Sequence, residues 1–197
     1  MRHRELVNKV LRQNPSRGEP RQTALKLRAK TGTYTMPFAL RTLAGFAYVG
    51  ERTGGDVLLN LQVFLTEIAT SINRDDGITG IECEIWGGCV LADGRTVIAR
   101  TSYHEHPRYD WIQFAGDNDG DCVYGQVCLF FQVVEWDLTG ALIRKKDWVP
   151  DDGGFGTYPH VESAPDEVDW VLLDDVVGVV HAIPDFEKEG TRWFIRC

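Results

Sequence analysis

At Ile78 the hydrophobic period of the chain changes, and that change limits the fold more than any other feature. Before it, Val57, Leu58, Leu61, Phe64, Leu65, Ile68 and Ile72 recur at helical spacing. Gly54-Gly55 reads as a loop ahead of them, Asp56 as an N-cap, and Arg74-Asp75-Asp76-Gly77 as the stop. After Ile78, short runs rich in Val, Ile, Phe, Trp and Tyr alternate with turn signals. Residues 82–86 read as a strand, Gly87-Gly88 as a bulge or close approach, and Asp93-Gly94 as a hairpin turn with 95–103 returning. Further strands are expected at 110–114, 122–136, 141–145, 168–173, 176–183 and 192–195. In the longest, Val127, Leu129, Phe131 and Val133 should share one face.

Such a pattern predicts a mainly β, α+β fold: a small antiparallel barrel or sandwich of about seven or eight strands with an N-terminal helical part. The expected organisation is a basic arm over 1–30, a helical segment packing on the sheet over 31–77, and a β domain over 78–197. Within the arm, 3–13 reads as a short helix through Leu6, Val7, Val10 and Leu11. Residues 21–30 read as a second, basic one ended by Thr31-Gly32-Thr33.

Charge divides the chain in much the same way. Residues 1–30 hold nine Lys and Arg against two Glu, whereas the whole chain carries a net charge of −8. An acidic body lacks the clustered cations that a broad nucleic-acid footprint requires. The arm has them: Arg2, Arg4, Lys9, Arg12, Arg17, Arg21, Lys26, Arg28 and Lys30. No run approaches the length of a membrane span, and the first residues lack a secretory apolar region, so an intracellular chain with no membrane association is expected. Five cysteines, an odd number, then read as reduced packing thiols. Both C-x5-C pairs, Cys83/Cys89 and Cys122/Cys128, are wider than zinc-ribbon spacing.

Catalytic templates fail. There is no phosphate loop, no nucleophile elbow and no His-Glu-x-x-His. The acidic loop 117–121 has Cys122 where a calcium loop needs its sixth-position glycine, and Cys128 where it needs its last carboxylate. The sharpest metal candidate is His104-Glu105-His106 with Asp110. In a strand the two imidazoles would face the same way, an array that resembles the first motif of the cupin barrels. Within that first motif Asp110 stands for the cupin Glu and Ile98 where the upstream glycine belongs, and the second cupin motif is absent. Aromatic side chains offer a different chemistry. Trp86, Tyr103, Tyr109, Trp111, Tyr124 and Trp136, set in an acidic body, are candidates to cradle cations of a basic protein segment. No cofactor is called for.

Several stretches form a recognisable series. Asp93-Gly94-Arg95-Thr96-Val97-Ile98-Ala99-Arg100 leads to Tyr103-His104-Glu105-His106-Pro107-Arg108-Tyr109-Asp110-Trp111. Then follow Tyr124-Gly125-Gln126-Val127-Cys128-Leu129-Phe130-Phe131, Val168-Asp169-Trp170-Val171-Leu172-Leu173 and Val179-Val180-His181-Ala182-Ile183-Pro184. Over residues 57–197 this series resembles the C-terminal β domain of transposon-encoded proteins of the CACTA and Kyakuja–Dileera–Zisupton types in plants, fungi and protists. The catalytic domain of those proteins, with its acidic triad, has no counterpart here. The resemblance implies an accessory module of a mobile-element protein, in the nucleus, associated with DNA or chromatin. Three functions stay open: a non-catalytic interaction or assembly module for a basic protein segment or chromatin, nucleic-acid binding through the arm, and a cupin-like metal enzyme.

Overall fold

Strand-forming side chains dominate from Glu82 onward, and the described residues of that half are almost entirely in strands. The structure, a computed structural model, describes residues 26–44, 54–72, 74–115, 122–149, 160–162, 168–184 and 192–196. Among them are eleven strands and two α-helices. In chain order these are β1 (Lys26–Thr35), α1 (Leu40–Ala44), α2 (Gly54–Ser71), β2 (Glu82–Val90), β3 (Thr96–Tyr103), β4 (His106–Tyr109) and β5 (Trp111–Ala115). There follow β6 (Cys122–Val133), β7 (Leu138–Val149), β8 (His160–Glu162), β9 (Val168–Leu172), β10 (Val176–Pro184) and β11 (Arg192–Arg196).

Pairing is antiparallel throughout, in the order β4–β3–β2–β6–β5–β10–β11–β8–β7–β9, with β1 on β2. Because β6 also pairs with β7, the sequence of neighbours β5–β6–β7–β8–β11–β10 returns to its start, and the sheet curls into a half-barrel. Two strands make the curl by changing partner along their length. β10 pairs with β5 through Val180 and with β11 from His181, and β7 pairs with β9 at 140–144 and with β8 at 147–149.

The expected helix is α2. It begins at Gly54 rather than after Asp56, so Asp56 sits in the first turn, where a carboxylate favours the positive end of the helix dipole. Its stripe is buried against one face of the sheet, on Cys83, Ile85, Leu129, Phe131, Leu142 and Leu172. Phe64 stacks on Trp170 at 4.2 Å between centroids and meets Phe131 edge-on at 6.0 Å. A second core gathers Cys89, Leu91, Val97, Ala99, Ile112, Phe114, Val127, Phe130, Ala141, Ile143, Val171 and Leu173.

Two local expectations are corrected. Val127 does not share a face with Leu129, Phe131 and Val133. A register shift against Ile143 and Leu142 places Val127 in the second core and the other three under the helix. The extra residue of a bulge inverts the alternation. The basic segment from Lys26 is a strand, not the end of a helix, and among the described residues the sheet already includes Lys26–Thr35, ahead of residue 78. Residues 31–77 accordingly contain the rest of β1 as well as helices. Thr31, Thr33, Tyr34 and Thr35 suit a pleated surface, and the edge of β2 supplies the hydrogen-bonding partner that a short isolated helix lacks. The helix expected at 3–13 and the acidic loop at 117–121 lie outside the described residues.

Candidate functional site

The histidines come first, because the metal reading depends on their sharing a strand face. They do not. His104 and Glu105 take φ of +48° and +71° and form the two-residue turn that joins β3 to β4, with Tyr103 paired to His106. Positive φ at both central residues is the requirement of the turns that suit a twisted hairpin. His104 is thus a turn residue and only His106 belongs to a strand.

Asp110, the third proposed ligand, is engaged by the backbone. Its Oδ2 accepts the Ile98 N–H at 2.8 Å, its own N–H donates to the Ile98 carbonyl at 2.8 Å, and its carbonyl accepts the Val127 N–H at 3.0 Å. Arg108 donates through Nε to Oδ1 at 2.8 Å and through a terminal nitrogen to Oδ2 at 3.2 Å. This is the point at which β6 has left β5, after Gln126, and has not yet met β2, at Phe130. Asp110 bridges that gap and ties it to β3. No group of three or more His, Cys, Asp or Glu side chains able to hold a metal exists among the described residues.

The six aromatic candidates are divided among several surroundings and form no single cage. Trp111 and Tyr124 are buried together with Val180 and Ile195. Trp136 packs on the helix-side core, while Trp86 and Tyr109 pack on the second core. Burial pushes the Tyr109 phenol up to about 12. Tyr103 lies at the hairpin end, edge-on to His104 at 4.4 Å. Two of the rings already carry a cation from this chain: Lys30 over Trp86 at 5.8 Å and Arg108 over Tyr103 at 5.0 Å. The thiols are equally poor candidates for chemistry. Burial pushes Cys83 up to about 12 and Cys89 up to about 11, and Cys128 is buried as well.

A cluster of basic side chains stands on β1 to β4. Arg2, Arg4, Lys9, Arg12, Arg17 and Arg21 lie outside the described residues. Lys26, Arg28 and Lys30 are exposed on β1, whose only described strand partner is β2. Lys30 is paired with Glu84. Further into the sheet, Arg100 of β3 stands directly opposite Arg108 of β4. The Arg100 side chain lies across Gly87, where a Cβ would come within 2.7 Å of its Cγ and 2.8 Å of its Nε. Its Nε is buried and has no hydrogen-bond acceptor. Sequence reading missed Arg100. The local signal was Gly87-Gly88 opposite a strand carrying Arg100, but only the register of β2 on β3 brings them together. Comparison of the chain with family models, with characterised proteins and with solved structures yields no match.

Proposed function

We propose that this protein is a non-catalytic interaction module that engages nucleic acid through its basic N-terminal residues and the strand into which they lead. One observation carries the reading: β1 holds Lys26 and Arg28 exposed at the border of the sheet, with Lys30 beside them paired to Glu84, in direct continuation of the six basic residues before it. Clustered cations on an exposed strand are the electrostatic footprint that phosphate backbones require, and the rest of the chain, being acidic, would repel them. Cation capture by the aromatic side chains is the weaker reading, since the six rings lie apart and two already hold cations. The transposon-protein resemblance of residues 57–197 agrees with a nucleic-acid partner, and a nuclear location belongs to the same proposal.

Fluorescence anisotropy with labelled single-stranded and duplex oligonucleotides tests it. Affinity should fall steeply with salt. The triple substitution Lys26→Gln, Arg28→Gln, Lys30→Gln should reduce the log–log salt slope by roughly 0.7–0.9 for each phosphate that is no longer neutralised. Binding that ignores salt, or that the triple variant leaves unchanged, rules the reading out. Capture of a Lys-rich peptide in place of the oligonucleotide returns the function to the aromatic side chains.

A further inference from the structure

Arg100 is an arginine whose setting asks for a ligand. Glycine at position 87 leaves room for its side chain against the backbone of β2, and any larger residue there would have to displace it. The side chain is held in place, yet its buried Nε donates to nothing. Its partner across β3–β4 is a second arginine. Like charges directly opposite one another in a sheet destabilise it unless something neutralises them. Asp110 is engaged by Arg108 and by the Ile98 N–H and makes no ion pair with Arg100. No other carboxylate among the described residues pairs with Arg100. Arg28 stands one strand further on, opposite Gly88, with its Cβ 3.9 Å from where a Gly88 Cβ would be.

We propose that Arg100 and Arg108, flanked by Arg28, bind a phosphate group on the face formed by β1 to β4. A phosphate oxyanion accepts from the terminal nitrogens of Arg100, the part of the guanidinium beyond its buried Nε, and relieves the repulsion across the β3–β4 pair. The group can come from a nucleic-acid backbone, in which case this site extends the basic strand proposed above, or from a small phosphorylated molecule. The inference does not depend on which.

The test is a thermal-unfolding titration of the full chain with inorganic phosphate replacing chloride at constant ionic strength. Ligand that binds the folded state raises the midpoint in a saturating manner. Wild-type protein should show that rise, Arg100→Gln should lose it, and Arg100→Lys should retain only part of it. If Arg100→Gln does not fold, Arg108→Gln takes its place and should weaken the response. A flat wild-type titration, or an equal rise in the Gln variants, overturns the proposal. The oligonucleotide assay separates the sources. A phosphate response in a chain that binds no oligonucleotide supports a small-molecule phosphate and removes only the nucleic-acid reading. Oligonucleotide binding without a phosphate response removes this site and leaves that reading in place.

Discussion

Asp110 is the residue on which much of the β3–β6 architecture converges, and its role is mechanical. It takes up the Ile98 N–H with its side chain and the Val127 N–H with its carbonyl, so distant strands are tied at one residue. Asp110→Ala removes the acceptor of a largely buried backbone N–H, and leaving such a donor unsatisfied costs about 1–3 kcal/mol. Asp110→Asn keeps an oxygen for Ile98 and loses mainly the pairing with Arg108, which is nearly half exposed and contributes little. Urea unfolding should therefore rank the stabilities as wild type, then Asn, then Ala. Equal losses for Asn and Ala would mean that the ion pair, not the backbone bond, is what matters. With Asp110 so engaged and His104 in the β3–β4 turn, the three side chains form no metal-holding group among the described residues.

At the scale of elements, close approach decides what each strand tolerates. Gly140 of β7 pairs with Phe131 on β6 and with Leu172 on β9. A Cβ at 140 would lie 2.6 Å from the Phe131 ring and 2.9 Å from the Val171 carbonyl. The ring is fully buried under α2 and the carbonyl is backbone, so neither can withdraw cheaply. Gly140→Ala should cost about 1–3 kcal/mol by overpacking, read as a lower urea midpoint with an unchanged m-value. A neutral outcome would show that β9 can slide away from β7. The bulge in β6 acts at the same scale, since by inverting the alternation at Val127 it lets one strand serve both cores.

For the molecule as a whole, burial sets the response to alkali. In the unfolded chain the thiols of Cys83 and Cys89 ionise near 9, whereas in the folded protein they hold their protons to about 12 and about 11. Between those values the unfolded state binds fewer protons, so stability is full below about pH 9 and is lost as pH rises through the folded values. Tyr109, also pushed up to about 12, adds to the decline above its ordinary 10. Urea midpoints should therefore fall between about pH 9 and 11, and the double variant Cys83→Ala, Cys89→Ala should flatten that fall. A slope unaltered in the double variant would assign it to other groups.

Local chemistry alone was enough for much of this. The stripe of α2, the Asp93-Gly94 turn with Gly94 at φ +84°, and the β character after Ile78 are legible because period and turn propensity are properties of neighbouring residues. Tertiary structure decided the rest. Whether Lys26–Thr35 became helix or strand depended on the free edge of β2, and the face taken by Val127 depended on a bulge set by β7. Asp110 became a splint and Arg100 a cation without a carboxylate only through the registers of neighbouring strands. A side chain's chemistry is written in its own identity, but its partners are fixed by pairing, and pairing is a property of the folded sheet.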